Sequence, residues 1–304
     1  MNEPRQPVNR PPIPATFMAV LLIPVYFAAW GKFGLKVPAA ILLSLATGLL
    51  TRSFVEIGNS RFPWPLFWVW PLFIPLGMPL WLVPVALLAA WFIAVAAFGG
   101  AEKNVFNPGA VGLVFISAGY GSAVSLSASK PFAGVTSALS VWTAGINPIG
   151  HSADYWLKWP VDSFFCFFAG GHLPSLPGFA FPGILLALAL LVVLAIPGRR
   201  VWFVSTLTTS LALAFVIGQY RPEIFAAPIN IFLAGSFPAT IWLALADEKT
   251  VPVSTSGQLV FGLVLGLFLV WFICASNHEF AGCFALLLAQ AIAPLLADVV
   301  GAGR

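Results

Sequence analysis

The feature that most constrains this chain is the recurrence, end to end, of apolar runs about as long as a bilayer is thick, with hardly a charge inside them. A hydrocarbon core about 30 Å across takes roughly 20 apolar residues per helix, fewer where neighbours or thinned lipid compensate. Ten such runs can be read. The first five are Ile13–Trp30, Leu35–Leu50, Trp64–Gly77, Pro79–Phe98 and Phe106–Tyr120. The second five are Phe179–Ile196, Val201–Gly218, Ile224–Ala246, Leu259–Cys274 and Phe280–Val300. Charged residues make up 8% of the 304, against about 25% in a soluble domain, so a water-facing exterior cannot be built from them. Disorder needs the opposite bias. The expected fold class is therefore an all-α polytopic membrane protein of about ten spans. A net charge of +4 with no basic run excludes nucleic-acid binding as a theme.

Between the two sets of runs lies Gly121–Gly178, richer in Ser, Gly, Pro, Trp and His, and too long for an ordinary connection. The chain thus divides into a first five-span unit at 1–120, a loop at 121–178 and a second five-span unit at 179–304. The first span follows Arg5 and Arg10 but lacks a small-residue cleavage site, and reads as a retained anchor. Placing the N-terminus in the cytoplasm puts nine Lys and Arg in inner segments and five in outer ones, Lys32, Lys36 and Lys130 among the outer. The positive-inside rule then gives cytoplasmic termini and an extracytoplasmic central loop. Each unit has two plain runs, a Pro/Gly-interrupted third and two more. An odd number of spans per unit implies inverted repeats about an axis in the membrane plane, with ligands near the repeat interface.

In so apolar a chain the informative residues are the polar ones at breaks, because an unpaired polar group in lipid costs several kcal/mol. One cluster is Gly99-Gly100-Ala101-Glu102-Lys103-Asn104-Val105-Phe106-Asn107-Pro108-Gly109, with amide donors and a proline suited to the first turn of a helix. A second runs from Gly235 through Pro238 to Asp247, Thr250, Pro252 and Gly257. It implies a broken span, with Asp247 and Thr250 as caps for the segment that follows. The third, Lys130 to Trp142, sets the hydroxyls of Thr136 and Ser137 beside Gly134 between Phe132 and Trp142, an oxygen anchor and stacking surface for a planar ligand. Each also fits a plain capped turn, kink or interfacial loop. Cys166, Cys274 and Cys283 lack metal or redox spacing, His151 and His172 are isolated, and no GxSxG, HExxH, phosphate-loop or dinucleotide fingerprint occurs.

Taken in order, the clusters resemble two related membrane proteins, the D subunit of the Rnf electron-transport complex and the B subunit of the sodium-translocating NADH:quinone oxidoreductase. That family carries GGxGxNxFNPA, an SGAT-type flavin segment and a late GGxxFxAxFxxTDPxTSP followed by glycine. Gly99, Gly100, Asn104, Phe106, Asn107 and Pro108 match the first, and Gly235, Ala239, Asp247, Thr250, Pro252 and Gly257 the third. The resemblance implies ten helices in inverted repeats, a bacterial-type inner membrane and electron relay through bound flavin. Thr136 or Ser137 would carry FMN by a phosphodiester, and Asn104, Asn107 and Asp247 would line a site for noncovalent riboflavin or FMN. It also implies partner subunits as donor and acceptor, since this chain has no NADH or iron–sulfur motif, and no acid, base or nucleophile of its own. Two departures stand out: Lys130 replaces the aspartate of the flavin segment, and Pro177–Pro182 replaces the Gly-Glu-(Thr/Ser)-Ser stretch. With covalent attachment left open, two other readings stay in play: a transporter or channel for a small neutral solute, and a diverged, flavin-free member serving a specialised complex.

Overall fold

A computed structural model describes residues 15–55, 64–74, 78–100, 103–124, 182–220, 231–232, 236–276 and 280–301. Among them every regular element is helical, as a medium without water requires of a backbone that must satisfy its own N–H and C=O groups. The α-helices are α1 (Ala15–Phe33), α2 (Lys36–Val55), α3 (Trp64–Val69), α4 (Leu82–Ala90), α5 (Pro108–Val124), α6 (Pro182–Ala195), α7 (Arg200–Tyr220), α8 (Ser236–Ala246), α9 (Thr255–Ser276) and α10 (Ala281–Gly301). Each lies on one of the ten apolar runs, some overrunning its ends by a few residues. Two of these helices, α7 and α9, are long and apolar enough to cross a bilayer on length and composition. Others are much shorter, α3, α4 and α8 at six, nine and eleven residues.

The long pair sets the packing style of the second half. Gly262 and Gly266, one turn apart on α9, lie against α7 so closely that a Cβ at Gly262 would strike Ser205 Oγ and the Trp202 carbonyl. One at Gly266 would come within 2.8 Å of Thr209 Cβ. Small residues at this spacing let helix backbones approach where lipid supplies no hydrophobic drive. The outer faces keep Leu211, Phe215, Leu263 and Trp271 exposed, an exterior suited to hydrocarbon.

The third run of each half departs from a plain span. Helix α3 lasts six residues, passes into a 3₁₀ turn at Trp70–Phe73 and ends at Ile74, whose ψ of 125° is extended. Its last carbonyls, which a helix end leaves unpaired, are taken by neighbours: Ser44 Oγ donates to Phe67 O at 2.6 Å and the Tyr26 hydroxyl to Trp68 O. Helix α8, the third of the other half, is buried at all eleven residues. Pro238 sits in its first turn, where a missing N–H costs nothing. The two short helices pack on each other, and α5 packs on α10, so the halves meet through corresponding elements.

Lys36, expected in an outer loop, is instead the first residue of α2 and fully buried, its Nζ donating to the Met78 carbonyl at 2.7 Å. It ties α2 to the gap between α3 and α4 and drops out of the loop-charge count. Lys36→Met is expected to cost about 1–3 kcal/mol by unpairing that carbonyl. Lys103→Met, at an exposed position, should leave the thermal midpoint in detergent nearly unchanged.

Candidate functional site

Helix α4 does not end cleanly. After Ala90 it widens into a π turn at Trp91–Val95 and tightens into a 3₁₀ turn at Ala96–Phe98. The chain then reverses through Gly99 and Gly100, whose φ angles of 83° and 121° suit glycine alone. Among the described residues a Cβ at Gly100 would meet nothing within 4 Å, and one at Gly99 only Lys103 Cδ at 3.8 Å, so these residues leave open space over both α-carbons. The rings of Phe98 and Phe106 meet edge to face across it, with centroids 5.9 Å apart.

Past this turn the backbone enters α5 through Asn107 and Pro108. Asn107 Oδ1 accepts the Ala110 N–H at 3.0 Å, and its carbonyl accepts the Val111 N–H at 3.1 Å, which is the bonding of an N-cap. The same side chain donates through Nδ2 to the Leu243 carbonyl in the last turn of α8, at 2.7 Å. Asn107 is fully buried and bonded at both ends of its amide. It holds the start of α5 to the end of α8.

Asn104 meets the same region three residues earlier. Its Nδ2 donates to Asp247 Oδ2 at 2.7 Å, a contact between residues 143 apart in sequence that joins the two matched motifs directly. Asp247 follows α8, and both residues are buried. Asn104 Oδ1, also buried, has no hydrogen-bond partner among the described residues. In a site otherwise so well paired, an unsatisfied acceptor marks where a donor from elsewhere fits.

Two further residues complete the cluster. Thr250 Oγ1 donates to the Asp247 carbonyl at 2.9 Å, closing the short turn that follows α8. Gln290 of α10 accepts the Asn107 N–H on Oε1 and donates from Nε2 to Thr250 Oγ1, each at 2.8 Å. Sequence reasoning missed Gln290; a lone amide in an apolar run was the signal. The expected capping by Asp247 and Thr250 is corrected: the hydroxyl that receives an N–H at the start of α9 is Ser254 Oγ, from Gly257 at 3.0 Å. Of the five anticipated site residues, Asn104, Asn107 and Asp247 come together. Thr136 and Ser137 lie outside the described residues.

In a comparison with known families, the NQR2, RnfD, RnfE family model matches residues 14–302, a range that takes in both segments of this join. The chain belongs to that family. Among its curated relatives is the D subunit of the ion-translocating oxidoreductase complex of Cronobacter sakazakii, 28% identical over 260 residues, covering 73% of this chain and 71% of the relative. Its counterpart in Escherichia coli strain K12 / DH10B is 27% identical over 261 residues, with the same coverage. The B subunit of the Na(+)-translocating NADH-quinone reductase of Chromohalobacter salexigens is 25% identical over 240 residues, covering 75% of this chain. The match takes in 55% of that longer relative, just over half its length.

Proposed function

We propose that this chain is the flavin-binding membrane subunit of an electron-transport complex of the Rnf and Nqr type. In this reading it is a multi-pass protein of a bacterial inner membrane with both termini cytoplasmic, and it relays electrons between partner subunits in a complex that translocates an ion. The names of its relatives support the assignment to such a complex. Support for the flavin comes chiefly from one observation, the buried and unpartnered Asn104 Oδ1 beside a glycine-lined, phenylalanine-flanked turn.

An isoalloxazine is flat, largely apolar and carries an imide N–H, and it supplies one- and two-electron chemistry that side chains lack. The residues present fit it. Asn104 Oδ1 is an acceptor for the imide donor, Gly99 and Gly100 leave room for a ring face, and Asp247 fixes the Asn104 amide so that the acceptor cannot turn away. Asn107 contributes by holding the backbone, since its own amide is spent on α5 and α8. Thr136 or Ser137 is the proposed hydroxyl for a second, covalently held FMN on the outer side.

The inverted-repeat reading draws support from the pairing of elements. In the first half α1 packs on α3, α2 on α4 and α4 on α5; in the second α6 packs on α8, α7 on α9 and α9 on α10. The same pattern, displaced by five helices, is what an internal repeat produces, and five spans per unit make it inverted. The candidate site lies where the halves meet.

The deciding experiment is the visible flavin absorbance of the purified full chain before and after acid precipitation. Colour that stays in the pellet reports covalent flavin, and colour released to the supernatant reports the noncovalent site. A colourless protein, isolated with its partner subunits, overturns the reading and favours a solute pathway through the same fold. Where the pellet is coloured, changing Thr136 and Ser137 together to Ala is expected to abolish its in-gel flavin fluorescence while leaving the released flavin unchanged.

A further inference from the structure

A glutamine in the middle of an apolar helix is expensive unless both ends of its amide are used, and in Gln290 they are. The residue is 1% exposed. Its carbonyl oxygen takes the Asn107 N–H, a group that the start of α5 would otherwise leave unpaired just ahead of Pro108. Its amide nitrogen donates to Thr250 Oγ1, and that hydroxyl donates in turn to the Asp247 carbonyl. Asp247 Oδ2 receives Asn104 Nδ2, and three residues of backbone carry Asn104 back to Asn107. The hydrogen bonds therefore close a ring: Asn107, Gln290, Thr250, Asp247, Asn104. Three separate segments supply it, and Gln290 is the one member outside both family motifs.

We propose that Gln290 is a positioning residue for the ligand held at Asn104, an inference that rests on the flavin reading above. Gln290 and Thr250 each bond to both of their ring neighbours through the side chain, while Asn107 joins through its backbone N–H and Asp247 through its carbonyl and its carboxylate. The direction of Asn104 Oδ1 therefore depends on where the ring holds the Asp247 turn against the Asn107 backbone. Gln290 spans from the α5 side to the Thr250 turn, a second tie beside the Asn104–Asp247 bond. Opening the ring there leaves the Asn104–Asp247 bond in place but frees the Thr250 turn and the Asn107 backbone to shift relative to each other. The acceptor then samples directions a planar imide donor cannot use. The residue acts through its neighbours, without touching the ligand.

The test uses the full chain with its partner subunits, and measures rebinding of riboflavin and of FMN after mild release, per folded molecule by size exclusion. Gln290→Leu and Thr250→Val are each expected to weaken rebinding roughly tenfold, the scale of one or two lost net hydrogen bonds. The double variant should be no worse than either single, because both open the same ring. Gln290→Glu, which keeps the acceptor for the Asn107 N–H, should fall between wild type and Gln290→Leu. If Gln290→Leu does not accumulate, Thr250→Val and Gln290→Glu carry the comparison. Wild type that binds flavin alongside variants that bind it equally well overturns the positioning role and leaves the flavin reading intact. Additive losses in the double variant also overturn it. Wild type that binds neither compound removes the flavin reading, and the positioning role with it.

Discussion

Gly282→Val is expected to yield a chain that does not accumulate in folded form, while Gly119→Ala accumulates at the wild-type level. Gly282 lies at the start of α10 where it crosses the first turn of α8. A Cβ there would run into Thr240 Oγ1, and would lie 3.1 Å from the Ser236 carbonyl carbon. Thr240 cannot simply rotate aside, since its hydroxyl already donates to Ser236 O at 2.7 Å. Nor can Ser236 give way, because α8 is buried along its whole length. Relief has to come from moving α10 as a body, and overpacking of this kind costs roughly 1–3 kcal/mol even where side chains can yield. Here backbone must move, and a domain with about 5–15 kcal/mol in hand loses much of its margin. The displacement also reaches the site: Gln290 lies about two turns along the same helix and would be drawn away from the Asn107 N–H and Thr250. At Gly119 a Cβ meets nothing within 4 Å among the described residues, so alanine there tests whether the loss at Gly282 is steric. Folded yield by fluorescence-detected size exclusion in detergent reads both.

The contrast between these two glycines shows which layer of the molecule the sequence discloses. Periodic apolar length is a one-dimensional property, and the ten α-helices among the described residues lie on the runs it marks. Their interruptions were legible where proline or glycine caused them, as at Pro71 and Pro238, and Asn107-Pro108 reads on chemical grounds as a helix start. What one dimension hides is partnership. Nothing local distinguishes Gly282 from Gly119, or sends the Lys36 ammonium into the α3–α4 gap in place of water. The Asn104–Asp247 bond joins residues 143 apart, and only the matching of two family motifs hinted that they meet. Gln290 belongs to no motif, so its role needed the fold. Ser254 displaced Asp247 and Thr250 as the cap of α9 because the turn at Glu248–Thr250 uses Thr250 internally, bonding it back to the Asp247 carbonyl.

Asp247→Ala carries the other large expected effect, because it removes the acceptor from a buried amide that has little else. Asn104 Nδ2 would keep only a long contact to the Phe106 carbonyl at 3.5 Å, and Oδ1 is already without a partner. A carboxamide unpaired at both ends inside the protein costs about 1–3 kcal/mol per group, and a bond to a carboxylate is worth more than one between neutral groups. A loss of roughly 3 kcal/mol in stability is expected, together with loss of the noncovalent flavin proposed for the site. Asp247→Asn keeps an acceptor oxygen of the same reach, and should retain most of the fold with weakened flavin binding. Asn104→Ala combined with Asp247→Ala supplies the decisive comparison. If the bond joins the two halves as a unit, the double variant is less damaged than the sum of the singles, with a coupling of about 1–3 kcal/mol in detergent unfolding. Strict additivity would mean that this bond adds nothing to the join, which the Asn107 bonds to Leu243 and Gln290 and the packing of α3 on α8 and of α5 on α10 then carry. The Asn104–Asp247 contact would then serve the ligand without serving the fold.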